Sequence, residues 1–210
     1  MHRRRRMIVL SLVVALGFGL LQSCAALSQM AAVLANLQRL KFKLADVGDF
    51  RLFGIPLGGK AQLADFTAAD GFRLVQAFAQ KKLPAEFVLT IEAVNPNDGT
   101  GGSPETVSML TSLESRLLID GTPTVTGNID TAIEIPGTGQ SSMIPLRMSI
   151  DLYEFFGNKG YEGLINLALA LGGARRDAAR IALDALPSVS TPMGPIAYPG
   201  RLTIVSHEFR

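Results

Sequence analysis

The stretch FVLTIEAVNPNDGTGG, Phe87 to Gly102, constrains the fold of this chain more than any other. Phe87, Leu89, Ile91 and Ala93 fall on one parity and Val88, Thr90, Glu92 and Val94 on the other, the period-2 pattern of a strand with one buried face. Pro96 ends the ladder, because it has no N–H to donate and its ring pushes Asn95 toward extended geometry. Asn97, Asp98 and Gly99 then supply residues that tolerate turns and positive φ. Downstream, TVSMLTSLESRLLIDGTPTVTGNIDTAIEIPG and SSMIPLRMSIDLYEFFG are rich in Thr, Val, Ile and Leu and are punctuated at Asp120-Gly121, Gly127-Asn128 and Pro136-Gly137. Spaced strands with such turns predict a mainly β chain folded as an antiparallel β-sandwich.

Other segments fill in this frame. LKFKLADVGDFRLFGIPLGGKAQL alternates at Phe42, Leu44, Phe50 and Leu52 and contains Gly48 and Gly58-Gly59, which predicts two or three short strands broken at those glycines. In TAADGFRLVQAFAQKKLP, the stripe Phe72, Val75, Phe78 and Ala79, the lysines that follow and Pro84 predict a helix of about three turns. GYEGLINLALALGGARRDAARIALDAL predicts a second helical insertion over 160–186, interrupted at Gly172-Gly173. Its Leu164, Ile165, Leu167, Leu169 and Leu171 lie on nearly all sides of the helix, so they are expected to be core, with partner or membrane contact as the alternative. GRLTIVSHEFR reads as a last strand. No repeat of fixed period is present.

The opening, MHRRRRMIVLSLVVALGFGLLQSCAALS, has a positive start, an apolar run from Met7 to Leu21 and then small residues, the order of a secretory signal. The run is somewhat short for a membrane span of about 20 residues. Four of the 20 basic residues are Arg3 to Arg6, and the remaining chain carries 16 Lys+Arg against 18 Asp+Glu. That balance leaves no basic footprint for nucleic acid. The single cysteine, Cys24, follows the apolar run directly, so no internal disulfide can form.

LLQSC resembles the lipobox of bacterial lipoproteins, with Leu21 three residues before Cys24 and Ser23 just before it; Gln22 is a less usual occupant. The resemblance implies a signal peptide over 1–23, diacylglycerol on the Cys24 thiol, acylation (palmitate) of the new amine and anchoring in a membrane through those chains. Residues 24–40 then form a tether and 41–210 the folded domain. Ala25 after the cysteine points, by analogy to enterobacterial sorting, to the outer membrane, periplasm-facing or surface-exposed. A free thiol in an uncleaved anchor helix and ordinary cleavage after a small residue are the alternatives.

The strand ending in VNPN, with FRLFGIPLGG before it and IPLRMSIDL late in the chain, resembles the group 2 late embryogenesis abundant family, also called the water-stress-and-hypersensitive-response domain. Asn95, Pro96 and Asn97 match its Asn-Pro-Asn turn motif, and Ile144-Pro145-Leu146 is similar to its later apolar-Pro strand. The resemblance covers roughly 42–152. It implies a β-sandwich of fibronectin or immunoglobulin-like shape with a helix, associated with desiccation and stress tolerance and without established catalytic residues; this chain departs from it in its helical insertions.

Motifs for chemistry are sparse. Gly54, Gly59 and Lys60 in GIPLGGKA have the spacing of a phosphate-binding loop, but Ala61 stands where a hydroxyl would hold Mg²⁺, so a plain glycine turn is expected. GTGQSS at 137–142 is weaker still. The mature chain would hold one histidine, His207, expected on a strand surface, so no metal centre or cofactor is predicted. Asp46, Asp49, Asp65, Asp70, Glu86 and Glu92 would need to converge in pairs to act as acid and base. The reading is a non-enzymatic, lipid-anchored envelope protein that binds or shields other components through an unknown protein or apolar partner. A carrier or chaperone for an apolar ligand is the alternative, and a hydrolase a third.

Overall fold

A computed structural model describes residues 30–100, 105–191 and 194–210. The alternation around Phe87 becomes strand β3 (Pro84–Val94), which buries Ala85, Phe87, Leu89, Ile91 and Ala93. It pairs antiparallel with β1 (Lys41–Leu52) on one side and with β7 (Ser141–Asp151) on the other. A short β2 (Ile55–Pro56) completes this sheet in the order β2-β1-β3-β7. The second sheet runs β10-β8-β4-β5, from β4 (Ser108–Ile119), β5 (Thr122–Gly127), β8 (Ile181–Thr191) and β10 (Leu202–Ile204). Two further strands lie off that path, β6 (Ile133–Ile135) on β4 and β9 (Gly194–Ala197) on β8. The buried parities of both sheets join one apolar cluster, which gives the expected antiparallel sandwich. Along one side the C-terminal segment bridges the sheets: after β10 pairs with β8, Val205 and Arg210 exchange backbone hydrogen bonds with Leu44 and Phe42 of β1 at 2.7–2.9 Å.

Punctuation works partly as expected. Asp120 (φ 49°) and Gly121 (φ 75°) form the two-residue hairpin turn between β4 and β5. The first hairpin differs, because β1 passes unbroken through Gly48 with register shifts on either side. Its turn comes at Phe53 (φ 47°) and Gly54 (φ 75°). Gly48 marks a bulge, which bends a strand without ending it.

Residues 30–39 form helix α1, and the expected tether boundary at residue 40 is corrected here, because Leu37 and Leu40 are buried in the domain core. Helix α2 (Ala68–Ala79) starts on a capping box in which Thr67 Oγ1 accepts from the Asp70 N–H at 3.1 Å. Its buried face is not the expected one. Leu74 and Ala77 are buried and Phe78 packs its ring edge-to-face on Tyr153 and Tyr161, whereas Phe72 is 72% and Val75 53% exposed. The helix is apolar on two faces, and the face that meets these tyrosines is the one covered. It closes on a Schellman turn, Lys82 N–H to Ala77 O and Lys81 N–H to Phe78 O, which places Lys81 at φ 57°. Left-handed geometry costs a residue with a side chain about 1–2 kcal/mol.

After β7, Asp151 caps helix α3 (Leu152–Phe156) by accepting from the Tyr153 N–H at 3.0 Å and also accepts from the Leu83 N–H at 2.8 Å. Helix α4 (Gly160–Gly172) follows and lies against β1, where a Cβ on Gly172 would come within 2.6 Å of Phe50 Cδ2, so only glycine fits. Leu164, Ile165, Leu167, Leu169 and Leu171 are all buried, as core residues. The expected helix over 160–186 is corrected: it stops at Gly172, and Ile181–Thr191 is strand β8. Ile181, Leu183, Ala185 and Val189 share one buried parity, and pairing along β4 and β10 outweighs the helix propensity of the Ala and Leu residues there.

Leu167→Asp places an unpaired carboxylate at a site 2% exposed and is expected to cost on the order of 4 kcal/mol, a large fraction of the stability of an ordinary domain. Phe72→Ser is expected to stay within about 0.5 kcal/mol of the parent. Thermal unfolding followed by circular dichroism separates the two; an unchanged midpoint for Leu167→Asp would remove α4 from the core.

Candidate functional site

Where β3 ends, its ladder partners run out and Asn95 and Asn97 take over. Both are fully buried. The Asn95 carboxamide Nδ2 donates to Thr106 O at 2.7 Å and Ile135 O at 3.1 Å, with Ser108 Oγ at 3.4 Å. Its Oδ1 accepts from the Asn97 N–H at 3.1 Å and from Asn97 Nδ2 at 2.8 Å, an Asx turn closed by a second side chain. Asn97 Nδ2 also donates to Asn36 O at 3.1 Å, and Asn97 O accepts from the Thr106 N–H at 3.0 Å. Pro96, half-buried between them, holds the backbone extended. Two side chains thus tie the end of β3 to helix α1, to the start of β4 and to the end of β6.

Gly137 completes the cluster. A Cβ there would lie 2.6 Å from Thr106 O, so the 136–139 turn can pass this close only as glycine. Beside it Asp98 accepts from Thr100 Oγ1 at 2.6 Å and Thr100 N–H at 3.0 Å, and the Thr100 hydroxyl above all holds its carboxyl below the usual range. Among the described residues every buried side-chain N and O has a partner. A cluster satisfied in this way fixes geometry and leaves no polar group poised for reaction. The Asn-Pro-Asn motif was legible; Asn36, Thr106, Ser108 and Ile135 were not, since they join it only in space.

The remaining candidates are dispersed. Lys60 of the phosphate-loop-like GIPLGGKA donates to Asp65 O at 3.0 Å, lies over the Phe66 ring and stands 4.0 Å from Asp70. The loop follows β2 and leads into a 3-10 turn (Leu63–Asp65), where Asp65 accepts from the Ala61 and Gln62 N–H groups; the Ala61 bond chiefly lowers its carboxyl pKa. Asp46 pairs with Arg176 and Glu92 with Lys43, each at 2.9 Å. Asp70 belongs to the α2 cap. Asp49 and Glu86 share the rim of an open depression of about 470 Å³ on the outer face of the first sheet with Arg51 and Arg147. His207 is exposed, 3.5 Å from Glu208, after β10 rather than within it. Among the described residues no group of three His, Cys, Asp or Glu side chains is placed to hold a metal ion, and no helix is long and apolar enough to cross a membrane. Cys24 lies outside the described residues.

No protein-family model and no curated protein matches the chain. Two solved structures are similar to it. One is the solution structure of a protein provisionally assigned as late embryogenesis abundant (LEA), 14% identical, covering 93% of this chain and 89% of that one at a TM-score of 0.34. The other is the crystal structure of a protein from Archaeoglobus fulgidus, 8% identical, covering 60% of this chain and 87% of that one at a TM-score of 0.31.

Replacing Asn95 by Val removes the bonds its carboxamide makes to Thr106 O, Ile135 O and the Asn97 N–H, at about 1–3 kcal/mol for each buried group left unsatisfied. Pro96→Ala leaves every one of those bonds in place and changes mainly the entropy of the unfolded chain, by up to about 1 kcal/mol. Denaturant melts are expected to show a loss for Asn95→Val several times that for Pro96→Ala. Equal losses would reassign the motif to simple strand termination.

Proposed function

We propose that this chain is a lipid-anchored, non-enzymatic cell-envelope protein whose sandwich domain binds or shields other envelope components under water stress. The observation that carries the reading is the order of its first 24 residues: four arginines, an apolar run and LLQSC, ending in the one cysteine of the chain. Export and acylation make use of each of these features, and a folded core needs none of them. The stress role follows from the resemblance to the group 2 late embryogenesis abundant family around Asn95-Pro96-Asn97. One contiguous apolar core and a cluster whose buried side chains are all partnered among the described residues suit a domain that works through its surface. The carrier reading draws no comparable support, because the α4 leucines that would line an apolar site are packed as core.

Metabolic labelling with palmitate and membrane fractionation are expected to find the wild-type chain labelled and sedimenting with membranes. Cys24→Ser is expected to be unlabelled and to keep its signal segment. Absence of label on the wild type would overturn the anchor. For the shielding role, a labile enzyme dried with the protein is expected to retain more activity than with an equal mass of serum albumin; equal retention would remove that part.

A further inference from the structure

Helix α2 shows solvent a face without charge. Its two ionic residues are both engaged, Asp70 in the N-terminal capping box and Arg73 by donating to Phe53 O at 3.3 Å over the Phe53 ring. Ala68, Phe72, Val75 and Ala79, spaced at i, i+4, i+7 and i+11, are all exposed, and Leu63 in the preceding turn is 38% exposed. Immediately beyond lie Lys81 and Lys82, exposed and without an ion pair among the described residues. Lys81 is held at φ 57°, where glycine is the easier residue.

The occupant can be chosen by area and charge. Twelve residues make a helix of about 18 Å, and a face about 10 Å wide gives about 200 Å² per partner, far below the roughly 1,000 Å² in total that a stable protein interface needs. A lipid surface sets no such minimum: an apolar helix face sinks between headgroups while flanking lysines meet their phosphates. We infer that α2 docks on an anionic lipid surface, with Phe72 and Val75 inserted and Lys81 and Lys82 at the headgroups. The site lies far from the point where the described N-terminal residues enter the sandwich. Residues 30–40 reach the sandwich where Lys41 pairs with Val94, whereas α2 leads into Pro84 at the other end of β3, about 33 Å away. In an anchored chain α2 would meet a second lipid surface, and this last step rests on the anchored reading above.

The chain has no tryptophan, so Phe72→Trp gives it a single reporter. The full-length variant is reconstituted in phosphatidylcholine vesicles, and phosphatidylglycerol vesicles carrying brominated acyl chains are then added. The expected result is a blue-shifted and quenched emission, absent when brominated phosphatidylcholine vesicles are added. With both lysines changed to Gln, half-saturation is expected to need about thirtyfold more anionic lipid, about fivefold per lysine. Met143→Trp, a reporter on β7 beside the far end of β3, is expected to stay unshifted. No response at Phe72→Trp, or an equal response at Met143→Trp, overturns the proposal. A shift that grows with protein density in phosphatidylcholine alone assigns the face to a second copy and overturns it too. Palmitate labelling of Cys24 is read separately, so failure of the docking and failure of the anchor remain distinguishable.

Discussion

A strand that stops inside a sandwich leaves its last peptide groups without ladder partners, and a buried carboxamide takes their place. Asn95 is the side chain on which the arrangement of this end turns, since it donates to backbone oxygens of Thr106 and Ile135 and accepts from Asn97. Those carbonyls belong to the segment leading into β4 and to the end of β6, so one planar group carrying two donors and an acceptor ties the end of β3 to the second sheet. Asn97 extends the same cluster to Asn36 and so brings α1 into the domain.

The opposite end of the sandwich is held by different chemistry. Asp151 accepts from Leu83 and Tyr153, binding the start of β3 to the start of α3, and Phe78 sits against Tyr153 and Tyr161 to bring α2 alongside. Helix α4 then returns over β1 and contributes its leucines to the core, with Gly172 admitting Phe50. The amide-rich end receives the N-terminal segment, and the aromatic end displays the uncharged face of α2. The two ends of the sandwich are thus held by different chemistry, carboxamides at one and aromatic rings at the other.

Much of the β framework could be read from the chain alone. The parity of Phe87, Leu89, Ile91 and Ala93, the stop at Pro96 and the Asp120-Gly121 hairpin are all consequences of sterics and side-chain period acting within a few residues. Harder cases arose where two local signals coexisted. Helix α2 has an apolar stripe on each of two faces, and the fold buries Leu74 and Ala77 and sets Phe78 against Tyr153 and Tyr161. ARIALDAL has helix-forming composition, yet Ile181, Leu183 and Ala185 also satisfy the period of a strand, and the open edge of β4 decided between them.

The sequence by itself determined the buried parity and the stop of β3, the Asp120-Gly121 hairpin, the leader-like character of the first 24 residues and the scarcity of catalytic motifs, because composition, period and turn sterics are local properties of the chain. Tertiary structure alone decided that Asn95 is a clamp, that Leu37 and Leu40 belong to the core and that Phe72 and Val75 face water. The carbonyl that Asn95 holds at Ile135 lies 40 residues away. A hydrogen bond or a buried face needs a partner, and the partners here are brought within reach only when both sheets have closed.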